Sequence, residues 1–185
     1  MPPRKPMHRP GHRTGARLLL CGVVNVAAVL LCALPSAAQD AGDGGIAVGA
    51  RPEPVVLETL DGEPVDLGQI VGDRPVLLEF WATWCTVCRA LEPAMRAAHD
   101  AYGDRVEFVV IAAAIAQTQE RVKQHIARHP VPGRVVWDTR GRATRAYDAP
   151  GTGFIVVLDR DGAVAYTGTG AGQDLVTALA AVVDP

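Results

Sequence analysis

The sequence predicts an α/β fold with a central mixed sheet flanked by helices, and three observations point there. Strand-length apolar runs at residues 76–81 and 106–113 are each followed by a stretch with helical apolar spacing. A fully apolar run at 154–158 then leads through Asp161-Gly162 into a second short run, the pattern of a hairpin. The β-α-β-α alternation needs crossover connections, so part of the sheet is parallel. At 185 residues, 49% apolar and 21% charged, the chain suits one core with a short extra segment, and neither disorder nor several membrane spans is indicated.

Residues 1–38 read as an address. Arg4, Lys5, Arg9, Arg13 and Arg17 precede the apolar run from Leu18 to Leu34, and Pro35-Ser36-Ala37-Ala38 puts small residues at the −3 and −1 positions of a cut after Ala38. That is the layout of a secretory signal peptide. The competing reading is a retained anchor, with residues 18–34 as a membrane tether; 17 residues lie at the lower limit for a span, and Asn25 interrupts them. Either way the basic flank stays inside and the rest is translocated, which places the domain in the periplasm or another extracytoplasmic space, secreted or held at the inner membrane. Cys21 and Cys32 fall within this segment and read as apolar signal residues. Beyond residue 38 thirteen basic side chains face twenty acidic ones, a balance of −7, so nucleic acid is not expected as a partner.

Residues 39–50, rich in Gly, Ala and Asp, read as a flexible tether without chemistry, and the folded domain is expected over 51–185. Residues 55–57 and 65–67 flank Asp61-Gly62 and suggest an N-terminal β-hairpin. The first core strand at 76–81 leads into a helix over about 85–102. The second strand, 106–113, precedes a helix over about 120–129 with Val122 and Ile126 on one side. Residues 135–137 offer a short strand and 143–147 a short helix. The strand 154–158, its hairpin partner 164–167 and a closing helix at 175–183, with Leu175, Leu179 and Val182 on one side, complete the domain.

Past the signal segment the chain holds two cysteines, in Cys85-Thr86-Val87-Cys88, between a strand and a helix. In that context C-x-x-C reads as a redox motif, since structural zinc needs two further ligands at suitable spacing. A thiol at a helix N-terminus faces unpaired N–H groups and the positive end of the dipole, which favour the attacking thiolate. Cys85 is the expected nucleophile and Cys88 the resolving thiol. A purely structural bridge would close too short a loop to stabilise much.

The run Phe80-Trp81-Ala82-Thr83-Trp84-Cys85-Thr86-Val87-Cys88-Arg89, with Pro93 five residues on, resembles the thioredoxin family, and the export signal with the early hairpin is most similar to its TlpA/ResA branch over about residues 50–185. The resemblance implies a thioredoxin fold with an N-terminal β-hairpin extension. It also implies an exported thiol–disulfide oxidoreductase supplying reductant to exported client proteins, apocytochromes c among them, itself recharged by a membrane thiol–disulfide electron donor. No cofactor beyond the Cys85–Cys88 disulfide is implied. Glu79 stands where such proteins keep a buried acid that handles the proton of the second cysteine; desolvation would raise its pKa. A hydrogen-bonded Glu without a role is the competing reading.

Trp84, next to Cys85, is expected at the surface against a partner chain, although sequence alone leaves core packing open for it and for Trp81. Thr86 and Val87, between the cysteines, are further candidates for the surface that meets a client; they differ from the Pro-containing dipeptides common in the family, and since this pair helps set the reduction potential, residue names leave the direction of exchange open. The family keeps a cis-proline ahead of the strand ending in Asp159, but this chain has Gly151-Thr152-Gly153, and Gly153 takes the proline position. Thr152 and Gly153 are expected to border the partner groove, in a looser loop. Losing that proline opens a second reading, a metal-handling, copper-chaperone-like module using both thiolates with Met95 or a histidine. His99, His125 and His129 lack ligand-like spacing to the cysteines. A thiol peroxidase would need a Thr and Pro arrangement ahead of Cys85 that Ala82-Thr83-Trp84 does not supply.

Overall fold

The computed structural model describes residues 44–72 and 74–184, all within the unit Gln39–Pro185. The signal or anchor expected at 1–38, with its apolar run 18–34, lies outside the described residues. So do residues 39–43. No helix among the described residues is long and apolar enough to cross a membrane.

Seven strands form one mixed sheet: β1 (Val56–Glu58), β2 (Pro64–Asp66), β3 (Val76–Trp81), β4 (Glu107–Ala113), β5 (Arg134–Asp138), β6 (Phe154–Leu158) and β7 (Val164–Thr169), in the order β2-β1-β5-β4-β3-β6-β7. β3, β4 and β5 run parallel, while β6 pairs antiparallel with β3 and β7, and β1 antiparallel with β2 and β5. The hairpin β1–β2 therefore extends the sheet beyond β5, as the Asp61-Gly62 turn predicts.

Five helices accompany the sheet: α1 (Leu67–Ile70), α2 (Thr86–Tyr102), α3 (Gln119–Arg128), α4 (Arg142–Ala146) and α5 (Leu175–Val183). β3 shows why its run is uninterrupted: Leu78 and Phe80 join a cluster with Ala143 and Tyr147 on one face, while Leu77 packs with Leu91, Met95 and Leu179 on the other. Strands covered on both faces need no polar alternation. Val122 of α3 packs beside the cysteines with Val110 and Ala112, so α2, α3 and α5 share one side of the sheet.

The sequence does not foreshadow α1, a single turn nucleated by Asp66, whose carboxylate accepts the Gly68 N–H at 2.8 Å. A second difference concerns the expected tether: residues 44–50 are docked. The Ile46 N–H donates to the Tyr147 carbonyl at 2.9 Å, Gly49 N–H to Val164 at 2.7 Å, and Val164 N–H back to Ala50 at 2.9 Å. Ile46 packs against the core. Glycine-rich composition suggests slack chain, but here it permits close approach.

Candidate active site

β3 ends at Trp81 and the chain reaches the first turn of α2 through Ala82, Thr83 and Trp84. Cys85 is the N-cap of α2: its backbone is extended, and its sulfur accepts the Cys88 N–H at 3.0 Å. The pair is closed as a disulfide with 5.3 Å between Cα atoms, inside the range such bridges need. Both cysteines are buried among Trp81, Ala82, Val110, Ala112 and Trp137. In the reduced state the same cap position would present Cys85 to helix N–H groups that favour its thiolate.

The alternation of β3 places Glu79. Leu77 faces α2 at Leu91 and Met95, and Trp81 faces Cys85 and Cys88, so Glu79 projects to the same side between them. It is 3% exposed. Burial, reinforced by the nearby Glu92 charge, pushes its carboxyl up to about 8, so it holds its proton at neutral pH.

The two tryptophans separate cleanly. Trp81 is buried, its indole edge-on to His125 at 5.4 Å, whereas Trp84 is 46% exposed and its Nε1–H donates to the Ile115 carbonyl at 2.9 Å. Thr86 and Val87 are exposed on the first turn of α2. Opposite them, Gly153 lies against Val87: a Cβ at position 153 would stand 2.7 Å from Val87 Cγ1 and 4.0 Å from the Cys88 nitrogen. Its φ of +82° is closed to proline. The loop is not loose at this point. The Gly153 N–H donates to the Phe80 carbonyl at 2.7 Å, and its carbonyl accepts the Gly170 N–H at 3.2 Å. Thr152, half-buried, sits beside it on the rim.

Sequence reasoning missed the loop after β4. Gln117 accepts the Thr83 N–H at 2.9 Å and donates to the Ala113 carbonyl at 2.7 Å, tying the cysteine loop to the end of the neighbouring strand. Ile115, 62% exposed, stands next to Trp84. No motif marks these residues; the available signal is topological, since loops after adjacent parallel strands converge at one end of the sheet. Of the candidate metal ligands, Met95 is buried with Leu91 and Ala98, His99 is edge-on to Phe108 at 5.0 Å, and the His129 ring lies tilted 5.0 Å from that of His125. No group of three or more metal-ligating side chains occurs among the described residues.

The family model described as Redoxin matches residues 37–182. The chain belongs to the Redoxin family. Within the family it is of the TlpA/ResA type. It is 28% identical over 146 residues to the thiol-disulfide oxidoreductase ResA of Bacillus subtilis, covering 77% of this chain and 80% of that one. It is 38% identical over 77 residues to thioredoxin-like protein YneN of the same organism, covering 42% of this chain. That match spans 45% of YneN, less than half its length. Among solved structures it is similar to a secreted Mycobacterium tuberculosis disulfide oxidoreductase homologous to E. coli DsbE, with 25% identity, a TM-score of 0.58 and coverage of 69% of this chain and 95% of that one. Family and fold thus agree on a thioredoxin-like chain, with the Cys85–Cys88 disulfide at the N-cap of α2.

Proposed function

We propose that this protein is an extracytoplasmic thiol–disulfide oxidoreductase that reduces disulfides of exported proteins. The observation that carries the reading is the Cys85–Cys88 disulfide at the N-cap of α2, with the buried Glu79 on the face of β3 that the cysteines cover. The basic, apolar and small-residue layout of 1–38 supports the location, and the resemblance to the TlpA/ResA branch, which implies a supplier of reductant, supports the direction.

The exchange takes two displacements. The Cys85 thiolate attacks one sulfur of a client disulfide, forming a mixed disulfide and releasing the client's other sulfur as a thiolate, which takes a proton from solvent. Cys88 then loses its proton to the ionised fraction of Glu79, which grows as pH approaches 8, and attacks the Cys85 sulfur; the intramolecular disulfide forms and the client's second sulfur leaves as a thiolate that takes a proton from solvent. The client gains two electrons and the Cys85–Cys88 pair loses them. A membrane thiol–disulfide donor returns the pair to the dithiol by the reverse displacements, in which protonated Glu79 can supply the proton to departing Cys88. Trp84, Thr86 and Val87 form one wall for the client, and Thr152 and Gly153 the other.

The test is trapping. Cys88→Ser, expressed with its export segment, should accumulate mixed disulfides with exported proteins through Cys85, and Cys85→Ser should accumulate none. Equal recovery of partners from both variants would contradict the assignment of nucleophile and resolving thiol.

A further inference from the structure

Residues 44–50 meet the domain at a place with consequences for the disulfide. Their far end is clamped to the start of β7 by the paired hydrogen bonds between Gly49, Ala50 and Val164. Their near end crosses the aromatic cluster of Phe80, Tyr147 and Phe154, in which the Phe80 ring lies 5.8 Å from Tyr147 and 5.7 Å from Phe154. Ile46 holds the Tyr147 carbonyl and packs against the same core. Gly45 has a φ of +103°, and a Cβ there would stand 2.4 Å from Phe154 Cζ, so the backbone itself lies against the ring. A Cβ on Gly44 would meet the Pro150 ring at 3.6 Å.

Phe154 is bonded to Gly153, and Gly153 abuts Val87 and the Cys88 nitrogen. A continuous line of contact therefore runs from Gly45 through Phe154 and Gly153 to the first turn of α2. The loop is pinned at Gly153, whose N–H and carbonyl bond Phe80 and Gly170, but residues 150–152 before it have few holds of their own. Ala149 N–H is bonded to the Thr144 carbonyl, but Pro150 has no N–H, and a Cβ on Gly151 would meet nothing within 4 Å.

We propose that residues 44–50 are a strap that sets the position of loop 150–153 beside the disulfide, with Gly45 and Ile46 as positioning residues for reaction with protein clients. The inference rests on the proposed exchange, in which that loop forms one wall of the client groove. A small disulfide needs only the sulfur of Cys85, whereas a protein client needs the groove as well. Displacing the strap should thus separate the two rates.

The experiment uses the full chain, reduced and then mixed with insulin or with glutathione disulfide, the oxidation being followed by the fluorescence of the three tryptophans, Trp81, Trp84 and Trp137, around the cysteine pair. Gly45→Val crowds the Phe154 ring, and the milder Ile46→Ala removes only the packed side chain, so one readable variant remains if the other does not fold. Val48→Ser, at a position 65% exposed, is the control. The strap predicts that the insulin rate falls about tenfold in Gly45→Val and severalfold in Ile46→Ala, while the glutathione disulfide rate stays within about twofold, because small misplacements of a binding wall are costly to oriented reactions. Val48→Ser should match the parent with both. An unchanged insulin rate in the folded variants, or two rates that fall in parallel with melting temperature, would overturn the strap alone. A parent that oxidises with neither probe would overturn the exchange reading and the strap together.

Discussion

β3 and β6 lie side by side, antiparallel and equally buried, yet only one of them carries a charge-capable group. β6 presents Phe154, Ile155, Val156, Val157 and Leu158, all apolar, whereas β3 places Glu79 directly opposite Ile155. Both strands deliver the site: β3 runs into Trp84 and Cys85, and β6 begins at the loop that touches Val87. What differs is what each strand does with its burial. Along β6 each side chain adds apolar packing, about 1.5–3 kcal/mol for a full-size residue. At Glu79 the strand gives up that gain and holds a proton near the sulfurs instead.

Three substitutions sharpen the contrast. Ile155→Ala leaves a cavity beside β3 and should destabilise by ~2–5 kcal/mol, visible in the denaturation midpoint, while the exchange rate of the folded protein stays close to the parent's. Glu79→Gln should act in the opposite sense on both counts. In the folded chain the carboxyl stays protonated up to about 8, but in the unfolded chain it ionises above its ordinary 4.5. The unfolded state therefore binds fewer protons between those values, and the parent's stability falls as pH rises from 4.5 to about 8. Gln carries no such loss, so the variant should be more stable than the parent by ~2–4 kcal/mol near pH 8 and equal to it near pH 4. Its rate of insulin reduction should fall and lose the rise through pH 8 that ionisation of Glu79 gives the parent. A pH profile matching the parent's would remove Glu79 from proton transfer. Gly153→Ala, the smallest of the three, forces a Cβ into φ +82° and onto Val87, with a cost of ~1–2 kcal/mol. Val87→Ala in the same chain should restore part of it, which a thermal melt of the double variant measures.

Much of this was legible in local pattern. Residues 154–158 and 175–183 show their strand and helix because an apolar run of strand length between turn signals and a capped apolar stripe leave little else for the chain to do. The cysteine pair announces itself for the same reason: strand, short loop, helix N-cap is a local sequence. The surface tryptophan was legible in part: its place next to Cys85 pointed to Trp84, but core packing stayed open for both until the end of β3 was known, with Trp81 still in the strand and turned inward and Trp84 past it. Gln117 and residues 44–50 escaped for a related reason. Their partners are 34 residues away at Thr83 and more than 100 away at Tyr147 and Phe154, and local composition encodes neither contact. The glycines at 44, 45 and 49 signal slack when counted but close packing once the ring of Phe154 is in place.

The most direct test of the central claim is the reduction potential of the Cys85–Cys88 pair, read by thiol alkylation after equilibration of the purified protein with dithiothreitol or glutathione couples in metal-free buffer. A client reductase should titrate as a single two-electron couple on the reducing side, toward the roughly −270 mV of thioredoxin. A couple near the roughly −120 mV of a strong disulfide donor would contradict the reducing direction, and two thiols that never pair at any poise would contradict disulfide exchange itself.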